Sequence, residues 1–195
     1  MTARPRTVVI GVGNEFRRDD GAGWAVVARL RPVLAGTGVD LAVCDGDPAR
    51  LIGLWEGAGL ALVVDAAHAH PAHPGRVHRL ELDAGPAQRP RTTSSHGLGL
   101  GEAVELARIM GRLPGRLVVY AVEGADGGFG PGLSPAVAAA VDEVTARVTD
   151  ELRAYDLLVP GAGPLLPGAG PVQPRSGPLP PDAGPLPYAP GGDLP

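Results

Sequence analysis

Leu60-Ala61-Leu62-Val63-Val64-Asp65 is apolar for five residues and then abruptly acidic. A strand with one wet face alternates apolar and polar residues, whereas a strand covered on both faces reads as a continuous apolar run. This segment therefore needs cover above and below. Apolar runs alternate with helical patterns along the chain, so helices supply that cover over a mostly parallel sheet. Thr7–Val12, Val39–Cys44 and Leu117–Val122 read as further strands, and Val77–Leu82 alternates as an edge strand does. The spacing predicts a helix over Asp20–Ala35, with Trp24, Val27, Leu30 and Leu34 on one side and Pro32 set to kink it or end it early. A short helix over Pro48–Trp55 is opened by Asp47, and one over Leu98–Met110 has Ser94 or Ser95 as its cap. Ser134–Tyr155 is the last helix, with serine at the cap and Pro135 at the first helical position.

Not all of the 195 residues read as globular. From Val159 to the end stand 12 of the 22 prolines and 8 of the 30 glycines. Ordering such a stretch costs roughly 1 kcal/mol or more per residue, and it has little apolar surface to offset that. The expected organisation is one domain over residues 1–156 and a flexible, partly polyproline tail over 157–195. A formal net charge of -4 gives no basis for nucleic-acid binding. No apolar run approaches the roughly 20 residues that span a bilayer, and no signal-peptide core precedes the first strand, so the cytoplasm is the expected location. Cys44 is the single cysteine; it has no internal disulfide partner and reads as a small core residue.

The chemistry begins at Val8-Val9-Ile10-Gly11-Val12-Gly13-Asn14-Glu15-Phe16-Arg17-Arg18-Asp19-Asp20-Gly21-Ala22-Gly23. A glycine turn between strand and helix usually cradles phosphate. Phe16 stands where a dinucleotide fingerprint needs its third glycine, and two carboxylates at a helix mouth repel phosphate. The turn therefore reads as a seat for a metal ion or another positive group. Ligands of open parallel sheets bind beyond the carboxyl ends of the strands. Asp19 and Asp20, Asp45, Asp65 and Glu123 all fall at such ends, and His96 lies on the run Ser94-Ser95-His96-Gly97-Leu98-Gly99 before a helix. Asp20 has a second reading as a helix cap, and Asp65 as a turn residue. A carboxylate at the end of a buried strand nevertheless needs a partner. Two carboxylates and an imidazole form a mixed oxygen and nitrogen set that suits nickel or zinc better than calcium or magnesium. The run His68-Ala69-His70-Pro71-Ala72-His73 is a second candidate for metal or an incidental loop. No nucleophile elbow, His-Glu-x-x-His helix or Cys-x-x-Cys pair is present, so conventional serine, cysteine and zinc-helix hydrolases are unsupported.

In order and spacing these motifs resemble the hydrogenase maturation proteases. The resemblance rests on Gly11–Gly23 with its acidic pair, Cys44-Asp45-Gly46, the strand ending Asp65-Ala66, Ser94-x-His96-x-Leu98-Gly99, Ala121-Val122-Glu123-Gly124 and Gly132-Leu133-Ser134. It spans residues 7 to about 150. It implies a three-layer α/β/α sandwich around a twisted, mostly parallel sheet of about five strands. It also implies an endopeptidase that trims the C-terminus of the nickel–iron hydrogenase large-subunit precursor after nickel is installed. By the same resemblance Asp20, Asp65 and His96 bind the metal and carry the reaction, with nickel supplied by the substrate rather than permanently bound. Asp45 or Glu123 is the candidate carboxylate base. The metal either positions the peptide bond beside a water or polarises its carbonyl. A non-catalytic nickel-sensing checkpoint protein, and a metal-dependent hydrolase of small molecules that uses the histidine run, are the competing readings. Charged Glu15, Arg17 and Arg18, the histidine-rich segment 66–75 and the proline-rich tail depart from the family pattern.

Overall fold

The computed structural model describes residues 5–83, 98–155 and 157. The chain divides into Met1–Leu165 and Leu166–Pro195, and every described residue lies in the first unit. The expected caps Ser94 and Ser95, the ligand His96 and the proline-rich stretch lie outside the described residues.

Five strands form one sheet: β1 (Thr7–Val12), β2 (Asp40–Cys44), β3 (Leu60–Ala67), β4 (Val77–Asp83) and β5 (Arg116–Glu123), in the order β2-β1-β3-β5-β4. β1 pairs parallel with β2 and β3, and β3 with β5; β4 closes the edge antiparallel to β5, as its alternation predicts. Four helices cover the sheet: α1 (Ala22–Val33), α2 (Pro48–Trp55), α3 (Leu98–Ile109) and α4 (Pro135–Ala154). The architecture is the three-layer α/β/α sandwich expected.

The alternation of β3 shows how one strand serves two cores. Leu60, Leu62 and Val64 pack with Val26 and Leu30 of α1 and with Val141, Val144 and Val148 of α4. Ala61 and Val63 point the other way, to Leu51 and Trp55 of α2 and to Ala103 and Ala107 of α3. Both sets are buried, which is why the run has no polar interruption before Asp65. The strand also runs past its expected end. Asp65, Ala66 and Ala67 stay in register with Ala121, Val122 and Glu123, so Asp65 lies inside β3 rather than closing it.

The expected helix from Asp20 is split. Arg18–Gly21 forms a 3-10 turn, and α1 starts at Ala22. Backbone bonds from a distant loop hold that turn: the N–H of Arg18 donates to the Gly130 carbonyl (2.9 Å) and that of Asp19 to the Asp126 carbonyl (3.0 Å). Pro32 sits inside α1, and the helix ends one residue later at Val33. The proline falls in the last turn, where one lost backbone bond costs little. Asp47 caps α2 as expected, accepting the Arg50 N–H at 2.8 Å.

Strand order fixes where a ligand can sit. The chain leaves β1 for β2 on one side and returns to β3 on the other. The crevice between the carboxyl ends of β1 and β3 is therefore the topological switch point, the usual ligand position in open α/β sheets.

Candidate active site

Asp20 and Asp65 meet at that switch point. Asp65 follows Val64, which is paired with Gly11 of β1, and only 8% of its surface is exposed. Asp20 follows the turn that leaves β1. Its Oδ2 accepts the N–H of Asn14 at 2.9 Å, so it closes the glycine turn. It does not cap α1, whose cap is Gly21 without a side-chain bond. Burial pushes the Asp65 carboxyl up to about 7, and the negative charge of Asp20 adds to the push. The Ala66 N–H opposes this without cancelling it. Among the described residues this pair of carboxylates has no cationic partner, an arrangement that favours a bound positive charge.

The glycines make this approach feasible. Gly13 has φ +120°, and a Cβ there would overlap the Asp20 carbonyl oxygen. A Cβ at Gly23 would lie 2.5 Å from the carbonyl oxygens of both Val12 and Val64. The start of α1 thus rests directly on the backbones of β1 and β3, which brings Asp20 over the end of β3. The Trp24 indole N–H donates to the Gly13 carbonyl at 2.9 Å and fixes the same corner.

Asp19, the other half of the acidic pair, has a different job. It is 1% exposed and its carboxylate is fully engaged. Oδ1 accepts the Ser134 N–H at 2.6 Å; Oδ2 accepts the N–H groups of Ala125 and Asp126, each at 2.9 Å, and the Ser134 hydroxyl at 3.0 Å. Burial works to raise its pKa, but these donors outweigh it and hold the carboxyl below its ordinary value. The expectation that both aspartates attract a cation is therefore corrected: Asp19 pins the 124–134 loop to the mouth of the site. Ser134 stands at the cap position of α4, but its hydroxyl serves Asp19 and makes no cap bond.

The two candidate bases also lie elsewhere. Asp45 is exposed at the end of β2, across β1 from β3. It accepts the Asp47 N–H at 3.4 Å and pairs with Arg50 at 3.6 Å, and these lower its pKa, the Asp47 bond most. Glu123 is 3% exposed at the end of β5. Its Oε1 lies 2.6 Å from Nε2 of His78, and its Oε2 accepts the His73 N–H at 2.6 Å. His78 and then the His73 N–H hold it below the ordinary carboxylate range. Oε2 ties down the loop between β3 and β4 and Oε1 is held by His78 of β4, so the carboxylate is a poor proton acceptor. Among the described residues no three His, Cys, Asp or Glu side chains converge as a metal set. The described part of the Asp20–Asp65 site offers two carboxylates.

Solved structures of like architecture include hydrogenase maturation peptidases. A hydrogenase maturating endopeptidase, HybD, from E. coli is 26% identical over 77% of this chain and 93% of its own, with a TM-score of 0.61. The solution structure of an endopeptidase from Escherichia coli gives 26% identity, the same coverage and a TM-score of 0.65. A [NiFe] hydrogenase maturation protease from Thermococcus kodakarensis shares the fold at 22% identity, over 75% of this chain and 98% of its own, with a TM-score of 0.55. No curated protein matches the chain by sequence. These neighbours define a class of α/β peptidase. Residues 36–151 match the hydrogenase maturation protease family model, and the chain belongs to that family.

Proposed function

We propose that this chain is the endopeptidase that removes the C-terminal extension of a nickel–iron hydrogenase large-subunit precursor once nickel has been inserted. The observation that carries the reading is the juxtaposition of Asp20 with the buried Asp65 at the β1/β3 switch point. Such a pair binds a divalent ion by replacing a shared proton with a metal charge. His96 is assigned as the third ligand. It stands two residues before α3, which covers the sheet face toward which Ala61 and Val63 point. The nickel arrives with the substrate, and three protein ligands leave coordination positions for the precursor's own groups.

The surface around the pair supports a protein substrate. Phe16 and Phe129 are 68% and 85% exposed on the two loops that meet at the mouth. The Arg17 guanidinium lies 5.4 Å from the centre of the Phe129 ring. Exposed aromatic residues beside a cationic group are common anchors for protein partners.

The test is cleavage followed by mass spectrometry. Nickel-loaded and nickel-free precursor would be incubated with the protein and with Asp20→Asn and His96→Ala. The expected result is loss of one C-terminal peptide, only from loaded precursor and only with the unaltered protein. A precursor that binds but is never shortened would overturn the peptidase reading in favour of a checkpoint protein. Equal cutting of nickel-free precursor would overturn the metal requirement.

A further inference from the structure

A recess of about 370 Å³ opens beside the Asp20 corner and runs along α1. Gly21, just before that helix, and Trp24, Ala25, Ala28 and Arg31 on it line the recess at positions that share one helical strip, and the buried Val27 also reaches the lining. At 1.5 Å rise per residue the strip is about 15 Å long. An extended peptide advances about 3.3 Å per residue, so the strip accommodates four to five residues.

The chemistry changes along it. Gly21 adjoins Asp20, and Glu15 and Arg18 flank that end. Arg18 is already paired with Asp126 at 3.2 Å. The middle is apolar: Trp24, Ala25, Ala28 and, across from them, Leu133. Trp24 is anchored by its bond to the Gly13 carbonyl, so its ring is set before any ligand arrives, and a pre-set aromatic surface binds without a large ordering cost. Arg31 stands at the far end, exposed and with no ion pair to any described residue. Apolar cover leading to a cation that pairs with no described residue complements a peptide that is apolar near the site and carries a carboxylate four or five residues away.

We propose that this recess binds the extended stretch of the substrate chain beside the cleaved bond, with Trp24 seating an apolar side chain and Arg31 pairing with a carboxylate. The carboxylate is either an acidic side chain or the free end of the extension. The inference rests on the peptidase reading for its biological substrate, but the peptide-binding property is testable without cleavage.

The probes are four fluorescein-labelled hexapeptides of Leu and Ala: one with a free terminal carboxylate, one amidated, one amidated with Glu at the fifth position, and one amidated with Lys there. Fluorescence polarisation would be read with the full chain, with Arg31→Glu and, as a surface control outside the recess, with Arg112→Glu. The expected result is at least fivefold weaker binding of the carboxylate peptides to Arg31→Glu than to the unaltered chain, no change with Arg112→Glu, and a gain for the Lys peptide with Arg31→Glu. The free-end and Glu peptides tell the two carboxylate sources apart. Equal affinity of the unaltered chain and Arg31→Glu for all four, or no binding at all, would overturn the assignment. An Arg31-dependent peptide site in a protein that never cuts the loaded precursor would sink the peptidase reading and leave this one standing. Cleavage with a KM indifferent to Arg31→Glu would do the reverse.

Discussion

Two buried carboxylates stand at the carboxyl ends of neighbouring strands, and they are opposites. Glu123 at the end of β5 has an imidazole on one oxygen and a backbone N–H on the other, and its pKa is held down. Asp65 in β3, 8% exposed, faces a second carboxylate, and its pKa is pushed up to about 7. Burial is common to both, so burial alone does not mark a reactive acid. The donors set them apart: Glu123 has a partner on each oxygen, whereas the described residues bring Asp65 the Ala66 N–H and a second carboxylate.

Asp65→Asn should break the contrast most sharply. Nickel-dependent cleavage is expected to fall by more than about 100-fold, since it removes a proposed ligand rather than a supporting contact. Its stability should move the other way. A carboxyl with a folded pKa near 7 and an unfolded value of about 3.9 binds more protons when folded, so stability declines as pH rises from about 4 to about 7 and then stays low. At about 1.4 kcal/mol per unit the penalty is of order 4 kcal/mol. The Asn variant should therefore melt higher than the unaltered chain at pH 8, and the two should converge near pH 4. Melting curves across that range check it, and parallel curves would refute the strain assigned to the pair.

Glu123→Gln should do the reverse. It removes charge from a satisfied corner, at a cost of about 1 to 3 kcal/mol near neutral pH. Because the folded pKa is depressed, that contribution is present above the unfolded value and fades as pH falls through the folded one. Cleavage by the folded fraction should stay within about threefold, which urea titration alongside the cleavage assay separates from lost stability. A collapse of turnover with unchanged stability would make Glu123 the base after all. Asp45→Asn should give the smallest effect, with turnover within about twofold, since Asp45 is an exposed turn residue.

Much of this was legible in the residues. The apolar run of β3 demanded two cores, and the strand-end rule placed Asp20 and Asp65 in one crevice. What was not legible came from far along the chain. Asp19 and Asp20 are identical neighbours in sequence. Only the return of residues 125–134 gives one of them four donors and leaves the other to the cleft. Glu123 likewise reads in the sequence as a candidate base, and its pairing with His73 and His78 shows only in the fold. The glycines of the first motif, read against a phosphate fingerprint, are spacers for the contact of α1 with β1 and β3. His96 lies outside the described residues, so its place beside the pair stays with the proposal.

The clamp on Asp19 has a consequence in time. Its bonds join positions 106 to 115 residues apart, so they form only after β5 has paired and the start of α4 has arrived. Contacts of such separation assemble late in folding because the intervening chain must first be ordered. A ribosome that has released only the first two-thirds of this chain has made both acids of the crevice but not the frame that steadies them. The frame around the crevice is thereby deferred until synthesis has passed Ser134.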